Sequence, residues 1–432
     1  MATTVFFVIL GLLFLLIFLK VPIGIAMFSA GFVGFAYLVG LGPALSMAGR
    51  DTYDTIVNYD LTVIALFVLM GQICFYSGSG SKLYTAMYKL LGGLPGGLAM
   101  ATIAACACFA AISGSSLATA ATIGTVALPE MKKFKYAPSL STGCVAAGGT
   151  LGILIPPSTI FILYGVMVQE SIVKLFVAGI LPGILLAGLF IIATTITVLR
   201  NPSLAPRAPY SSIKDKIKGL AGVIDTLMLF TIIMGGLFLG YFTPNEGAAI
   251  GGTGALIIGL VRRQLSWAGF KKAVFETAQT TGMLFLILVG AFVFGRFLAV
   301  TNMPYVIASF TKELAFSPYV IFGLMMVVYL ILGCFFESLS LLVLTIPLVY
   351  PMIIALGFDS IWFGVMVVLI DEMALVTPPV GLNVYVIAGI APDVPMGTIF
   401  RGIIPFLLAM IVCVILLTIF PQIALFLPSS MK

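Results

Sequence analysis

Two Pro-Pro pairs inside long apolar stretches decide the fold of this chain: Ile155-Pro156-Pro157-Ser158 and Thr377-Pro378-Pro379-Val380, called here the first and the second break. A proline has no backbone N–H, and its ring clashes with the preceding helical turn. Two prolines in succession leave upstream carbonyls without helical partners, which is costly in hydrocarbon. A bound cation that prefers oxygen, such as Na⁺, would satisfy these carbonyls; the alternative is a purely structural kink.

The composition places most of the chain in a membrane. Of 432 residues, 61% are apolar and 8% are charged, so most of the protein surface must face lipid. Windows of roughly 20 apolar residues, the length that crosses a bilayer, recur along the whole chain and leave no separate soluble domain. The first window, from Thr4 to Leu19, lacks a basic n-region and is interpreted as a span, not as a signal peptide.

Histidine and cysteine usage limits the chemistry. The chain has no histidine, which removes the commonest proton shuttle and transition-metal ligand. Its six cysteines lie in apolar segments and are expected to pack as small hydrophobic side chains, with a metal or redox site at Cys106-x-Cys108 as the alternative. No Walker, serine-triad or HExxH motif is present, so ATP-driven transport within the chain is not expected.

Basic residues orient the chain in the membrane. The loop from Arg200 to Lys218 holds five Lys and Arg residues, including Arg207, and a single acid, Asp215. The positive-inside rule places this loop in the cytoplasm. Spans counted outward from it place both the N-terminus and the C-terminus on the periplasmic side. Topology therefore explains the net charge of +6, and no nucleic-acid partner is expected.

One shift in numbering relates the two halves of the sequence. The shift that carries Pro156 onto Pro378, called here the repeat offset, also carries Pro22–Ala26 onto Pro244–Ala248 and the run Ile112–Ser116 onto Cys334–Ser338. Each half is predicted to be all-α, with three spans, a short arm, a re-entrant hairpin, a broken helix and a last span. An odd number of crossings inverts the second half, and inverted repeats with broken helices are typical of secondary transporters.

The hairpin tips supply candidate binding residues. The first hairpin, residues 97–128, has the tip Ser113-Gly114-Ser115-Ser116, and the second, residues 318–351, carries Glu337 near its tip. Irregular backbone at membrane depth is tolerated only where protein or a water-filled cavity covers it. Since intramembrane acids are functional candidates, Glu337 is the leading ionisable site. A structural cap on the adjoining half-helix is the alternative role for Glu337.

Three functions compete on these residues. A sodium-coupled secondary transporter of organic anions is favoured by the repeat, and a channel subunit would lack any sodium requirement. An intramembrane enzyme would have only Glu337, Asp371 and Glu372 for its chemistry, so enzymatic activity is not expected. Asp371 and Glu372 precede the second break, where they either line a polar path or lie at a helix crossing.

Several long motifs resemble those of one family. They are the run Phe109–Gly124 (FAAISGSSLATAATIG), Gly149–Ser158 (GTLGILIPPS), Leu175–Gly183 (LFVAGILPG) and Thr377–Asn383 (TPPVGLN). In this order they resemble the large membrane (M) subunit of TRAP transporters, the tripartite ATP-independent periplasmic transporters (DctM-like). The resemblance covers nearly the whole chain.

The resemblance implies a mechanism and partners. Such subunits are elevator-type secondary transporters of the bacterial inner membrane, in which a mobile domain of hairpins and broken helices moves against a scaffold. They couple uptake to Na⁺, use no organic cofactor, pair with a small membrane subunit (Q), and receive a carboxylate from a periplasmic substrate-binding protein (P). No fused small-subunit segment precedes Thr4, so a separate small subunit is expected. Which carboxylate is carried stays open.

The resemblance also implies site residues. Substrate would contact Ser115, Ser116, Ser158 and Glu337. Sodium site 1 would comprise Ser113, Gly114, Ser115, Gly149, Thr150, Gly152 and Pro156. Sodium site 2 would comprise Gly333, Glu337, Ser338, Thr377, Pro378, Val380 and Gly381. The sequence departs from the family pattern where Glu337 replaces aspartate, Ala374 replaces glycine and Ile370 replaces asparagine.

Combining repeat and resemblance divides the chain into eight segments. These are residues 1–78 (scaffold spans of the first half), 79–92 (amphipathic arm), 93–170 (transport-domain hairpin and broken helix), 171–220 (span and basic cytoplasmic loop), 221–302 (scaffold spans of the second half), 303–316 (second arm), 317–392 (second hairpin and broken helix) and 393–432 (last span).

Overall fold

The computed structural model describes residues 2–206, 212–313 and 316–431, and these form helices without any strand. Arg207 of the predicted basic loop and residues 314–315 of the predicted second arm lie outside the described residues. The helices of the first half are α1 (Ala2–Phe18), α2 (Ile23–Val39), α3 (Leu41–Ile56), α4 (Thr62–Tyr76), α5 (Ser79–Leu91), α6 (Gly97–Ser113), α7 (Ser116–Lys133), α8 (Pro138–Gly149), α9 (Leu151–Leu154), α10 (Thr159–Val168) and α11 (Ile172–Arg200).

The second half repeats this order. Its helices are α12 (Ile213–Ala221), α13 (Ile224–Phe238), α14 (Pro244–Val261), α15 (Trp267–Thr301), α16 (Met303–Glu313), α17 (Pro318–Gly333), α18 (Ser338–Ala355), α19 (Ser360–Ala374), α20 (Leu382–Ile390), α21 (Met396–Ile419) and α22 (Gln422–Ser429). The repeat offset carries α7 onto the bounds of α18, and it carries α2 onto those of α14 to within a single position. The opposite orientation of the two halves in the membrane stays a prediction.

Within the described ranges, membrane-spanning length is reached by six helical segments, or by seven if α12 and α13, bent by 51°, form one span. Shorter apolar helices accompany them, among them α6 and α17, the first arms of the two hairpins. Large apolar side chains such as Phe7, Leu15 and Ile415 are exposed on the surface, as a lipid-facing protein requires. The fold is therefore that of an all-α polytopic membrane protein.

The two halves pack through repeat-related helices. Helix α2 lies along α15, and α14, its repeat equivalent, lies along α4. The first of these contacts is close because it is made by glycines: a Cβ added to Gly24 would lie 2.6 Å from the Leu286 carbonyl oxygen. Small residues allow this approach of helix backbones in membranes.

One departure from the repeat lies just before α5 and α16. The first half has α3, a 3₁₀ turn at Tyr59–Leu61 and α4, whereas the second half has the single 35-residue helix α15 in the same place. In the first half the chain is interrupted where Asn58 caps the 3₁₀ turn by accepting a hydrogen bond from the Asp60 backbone N–H. Helix α3 is tied back to α15 by Asp51, which binds the Arg296 guanidinium at 3.0 Å.

Candidate functional site

The tip of the first hairpin packs directly on the first break. Gly114, with φ of 63°, turns the chain between α6 and α7, and a Cβ at this position would lie 2.8 Å from the Pro157 carbonyl oxygen. Thr159 donates a hydrogen bond to the Gly114 carbonyl at 3.3 Å. On the other side of the tip, a Cβ at Gly152 would clash with the Ser115 carbonyl and lie 2.6 Å from Thr119 Oγ1. Glycine at both positions therefore lets the hairpin and the break touch.

The first break leaves a run of carbonyls without donors. Pro156 and Pro157 would supply the helical N–H groups for Gly152 and Ile153, and they have none. Among the described residues, no hydrogen bond reaches the carbonyls of residues 152–157. The whole run from Leu151 to Ser158 is buried. Buried carbonyls of this kind are suited to a cation, because lone pairs directed into protein need an electropositive partner.

The second break is arranged differently. Pro378 and Pro379 are exposed, and the carbonyls that they deprive of helical N–H groups find other donors. The Ala374 carbonyl accepts the Thr377 N–H at 3.1 Å, and the Leu375 carbonyl accepts the Asn383 N–H at 3.1 Å. The second break therefore offers fewer free carbonyls than the first.

A buried polar network connects the two halves. The Ser116 hydroxyl lies 2.7 Å from Glu372 Oε2 and 3.1 Å from the Gly149 carbonyl oxygen, and it accepts a hydrogen bond from the Asn383 amide at 3.0 Å. The same amide donates to the Ala146 carbonyl at 3.2 Å. Glu372, on α19, thus holds the start of α7, and Asn383, on α20, holds the end of α8. Glu372 thus has a hydrogen-bond partner on a helix of the other half.

The two hairpin tips meet at one small cavity of about 50 Å³. Its polar lining residues come from both halves: Ser115, Ser116, Thr159, Glu337 and Ser338. Three helices, α7, α10 and α18, begin at this cavity. The helix N-termini carry free N–H groups and a positive partial charge that attract an anion such as a carboxylate, whereas Glu337 brings a carboxyl group to the same cavity. We call it the tip cavity.

The structure brings three of the four predicted substrate residues together. Ser115, Ser116 and Glu337 line the tip cavity, whereas Ser158 does not. Ser158 is fully buried, and its hydroxyl caps α10 by accepting the Phe161 N–H at 3.4 Å. Its neighbour Thr159 lines the cavity instead. Successive side chains at a helix start point in different directions, so the next residue along the chain reaches a space that Ser158 does not.

The residues predicted for sodium site 1 cluster around the first tip and break. Ser113 donates to the Ser115 carbonyl at 3.4 Å, and the Thr150 hydroxyl donates to the Ala147 carbonyl at 2.6 Å, on its own side of the break. Gly114 and Gly152 make the contacts described above, and the Gly149 carbonyl faces Ser116.

The residues predicted for sodium site 2 fall into two groups. Gly333 and Ser338 lie at the second hairpin tip, where a Cβ at Gly333 would lie 2.6 Å from the Cβ of Ala374. Thr377, Pro378, Val380 and Gly381 form the second break, and Gly381, with φ of 65°, begins α20. The Cys334 thiol joins the two groups by donating to the Pro378 carbonyl at 3.4 Å.

Two contributors were not predicted as site residues. Thr159 and Asn383 are the residue after the last serine of the GTLGILIPPS motif and the last residue of the TPPVGLN motif. Their positions within or beside these motifs were the available signal. Nothing in the sequence says that Asn383 reaches across to the other half.

The side chains that usually bind metal ions are those of His, Cys, Asp and Glu. Within residues 2–206, 212–313 and 316–431, no group of three His, Cys, Asp or Glu side chains is placed to hold a metal ion. The cysteines are free thiols, and all except the half-buried Cys108 are buried. The first tip and break offer backbone carbonyls and hydroxyls, and such oxygen ligands fit a hard cation.

Comparison with known proteins places the chain in a family. The model of the tripartite ATP-independent periplasmic transporter, DctM component, matches residues 10–423. The C4-dicarboxylate TRAP transporter large permease protein DctM of Pseudomonas aeruginosa is 35% identical over 87% of this chain and 88% of its own length. The sialic acid TRAP transporter large permease protein SiaM of Vibrio cholerae is 33% identical over 96% of both chains.

A solved structure shares the fold. The YdaH transporter of Alcanivorax borkumensis superposes with a TM-score of 0.66 at 17% identity, covering 88% of this chain and 89% of that one. Paired hairpins, broken helices and lipid-facing apolar surfaces define a multi-pass membrane transporter subunit. The chain belongs to the DctM family, the large permease subunits of TRAP transporters. The resemblance drawn from the motifs is confirmed.

Proposed function

We propose that this chain is the sodium-coupled permease of a tripartite uptake system for an organic carboxylate. The observation that carries the proposal is the tip cavity, where both hairpins, three helix N-termini and Glu337 meet. The helix N-termini attract a carboxylate, and Glu337 accepts hydrogen bonds from hydroxyl or amino groups of the same substrate. Relatives that carry C4-dicarboxylates and sialic acid support this substrate class.

The size of the tip cavity supports a moving domain. Ligand sites generally have volumes of about 300 Å³ or more, far above the about 50 Å³ of the tip cavity. The hairpin tips must therefore separate to admit substrate. We propose that the hairpins and broken helices, residues 93–170 and 317–392, move as an elevator against the spans of residues 1–78 and 221–302.

Sodium supplies the driving force in this proposal. One Na⁺ binds at the first hairpin and break, where the carbonyls of residues 152–157 lack donors among the described residues, and another at the second. Two Na⁺ with a monoanion carry one net positive charge inward, which is worth roughly 2.3 kcal/mol per 100 mV of membrane potential. A dianion with two Na⁺ would lose this electrical contribution.

The partners follow from the family. The permease works with a small membrane subunit and a periplasmic substrate-binding protein, which selects the substrate. The complex resides in the bacterial inner membrane, with both termini of this chain in the periplasm.

Reconstitution in proteoliposomes tests the proposed function. The chain, its small subunit and its binding protein are reconstituted, and uptake of labelled C4-dicarboxylates and sialic acids is measured with an inward Na⁺ gradient or with choline instead. We expect uptake of one carboxylate class only when Na⁺ and the binding protein are both present. Uptake that persists without either would contradict the proposal.

Glu337→Gln tests the tip cavity itself. We expect uptake to fall strongly with unchanged membrane insertion, because the neutral amide changes both charge and hydrogen bonding at the cavity. Glu313→Gln, an exposed residue of the second arm, is the matched control and should transport like the wild type. Normal uptake by Glu337→Gln would remove Glu337 from the site.

A further inference from the structure

The repeat offset relates a pair of polar positions in the first half to a pair in the second half. Ser116 and the Gly149 carbonyl face each other at 3.1 Å, and the repeat offset carries these two positions onto Ser338 and Asp371. Ser338 lies at the start of α18 and Asp371 near the end of α19, and these two helices pack on each other. The position that offers a backbone carbonyl in the first half therefore offers a carboxylate in the second.

The polar atoms of the second pair lack hydrogen-bond partners. Asp371 is 2% exposed and Ser338 is 3% exposed. Among the described residues, neither Asp371 Oδ1 nor the Ser338 hydroxyl has a hydrogen-bond partner. Gly333 borders the same space, since a Cβ there would lie 3.5 Å from Asp371 Oδ1. Two buried polar groups without hydrogen-bond partners thus lie on packed helices, and a glycine leaves room beside the Asp371 carboxyl.

The surroundings of Asp371 are negative. Its acidic neighbours are Glu337, from the second hairpin, and Glu372, the next residue on α19, and the buried phenol of Tyr329 on α17 also lies near it. Within the part of the chain that the structure describes, no Lys or Arg forms an ion pair with any of the three. A buried carboxylate without a cation costs several kcal/mol, whereas the last turn of α19 favours positive charge through its helix dipole.

We infer that Asp371 is an anionic ligand of the cation at the second hairpin, with the Ser338 hydroxyl beside it. The inference rests on the proposed sodium coupling and goes beyond it, because the residues predicted for that site did not include Asp371. It also explains the asymmetry of the breaks. The carbonyls of Ala374 and Leu375 are already paired, so a carboxylate supplies the oxygen that carbonyls supply in the first half.

Thermal unfolding of the purified transporter complex tests the inference without measuring transport. Unfolding temperatures are recorded over a NaCl titration, with choline chloride keeping the ionic strength constant. A ligand that binds only the folded state raises its stability with concentration. In Asp371→Asn we expect the Na⁺ concentration for half of the stabilisation to rise about tenfold or more, because a neutral amide oxygen replaces a charged one.

The order of the unfolding temperatures with and without Na⁺ distinguishes a cation ligand from an acid that only supports the fold. Without Na⁺, Asp371→Asn should unfold at the same temperature as the wild type or higher, because an unpaired buried charge has been removed; with Na⁺ the wild type should be the more stable. Asp371→Glu keeps the charge and should keep more of the Na⁺ response than Asp371→Asn. Asp54→Asn, an exposed acid on α3, is the control and should match the wild type throughout.

The outcomes are distinguishable from those of the proposed function. An unchanged Na⁺ titration in Asp371→Asn overturns the inference while leaving sodium-coupled uptake intact. A variant that is unstable in both salts also overturns it, since Asp371 would then be needed for folding and not for the cation. If Na⁺ stabilises neither protein and uptake does not require Na⁺, the proposed function itself fails.

Discussion

In the first break Pro156 and Pro157 are buried under the tip of their hairpin, whereas in the second Pro378 and Pro379 are exposed. The carbonyls of residues 152–157 have no donors among the described residues, while those of Ala374 and Leu375 are paired again with other N–H groups. The same Pro-Pro dipeptide therefore lies in two different environments. What differs is the neighbouring chain: a helix ending in glycines leads into the first break, and a helix with two acids leads into the second.

The two halves keep the geometry of the repeat but differ in the hydrogen bonding of equivalent residues. Ser116 and Ser338 occupy equivalent helix starts, yet within the described ranges the Ser116 hydroxyl makes three hydrogen-bond contacts and that of Ser338 makes none. Glu372 and Asn383 of the second half supply hydrogen-bond partners for Ser116 in the first half. The second half retains unpaired polar groups, and such groups in a membrane protein point to a ligand.

Gly152→Ala should have the largest effect, because it separates the first tip from the first break. The added methyl group would lie 2.6 Å from Thr119 Oγ1 and closer still to the Ser115 carbonyl. We expect uptake in proteoliposomes to fall more than tenfold, with a loss of about 1–3 kcal/mol in stability from overpacking. Gly389→Ala, beyond the second break and with no atom within 4 Å of the new methyl group, is the control. Equal uptake by the two variants would show that the contact is dispensable.

The paired substitutions Ser116→Ala and Ser338→Ala measure the difference between the two serines. Ser116→Ala removes the hydrogen-bond partner of Glu372 Oε2 and one of the two acceptors of the Asn383 amide, which should lower the free energy of unfolding by about 1–3 kcal/mol. Ser338→Ala removes no hydrogen bond seen among the described residues and should change it by less than about 0.5 kcal/mol in Na⁺-free buffer. Thermal unfolding checks both variants, and a larger loss in Ser338→Ala than in Ser116→Ala would contradict this difference between the two serines.

Pro156→Ala and Pro378→Ala compare the breaks as cation sites. Alanine at 156 restores an N–H that can pair with the Gly152 carbonyl, so the Na⁺ concentration for half-maximal uptake should rise roughly fivefold, equivalent to about 1 kcal/mol. Pro378→Ala should have a smaller effect, because the Ala374 carbonyl already accepts the Thr377 N–H. A larger shift in Pro378→Ala would mean that the second break, and not the first, depends on free carbonyls.

Asp393→Asn should have the smallest effect. Asp393 binds Lys132 at 2.6 Å on the protein surface, and this hydrogen bond lowers the pKa of the Asp393 carboxyl. Exposed ion pairs contribute little to stability because water and salt screen them. We expect an unchanged unfolding temperature and unchanged uptake. A clear loss of either would show that this surface ion pair contributes to the coupling of the two halves.

Much of the fold could be predicted because it depends on local composition and on the repeat. Apolar windows, Pro-Pro pairs and the repeat offset between them predict the order of the helices, and α7 and α18 obey that offset at both ends. The meeting of Ser115, Ser116 and Glu337 followed from the family motifs. The burial of Ser158 as a helix cap, with Thr159 facing the cavity, could not be predicted, because the direction of a side chain at a helix start depends on local backbone torsions.

Residue types and their spacing alone predict that this protein lies in a membrane, that its halves are related, and that two helices are broken beside polar hairpin tips. These properties follow from residue types and spacing: apolar length sets the spans, and proline removes the donors. The folded structure was needed to show which carbonyls stay unpaired, that Glu372 and Asn383 reach the opposite half, and that Asp371 Oδ1 and the Ser338 hydroxyl lack partners among the described residues. These contacts join residues far apart in the chain, and no local pattern encodes which of the many polar groups will meet.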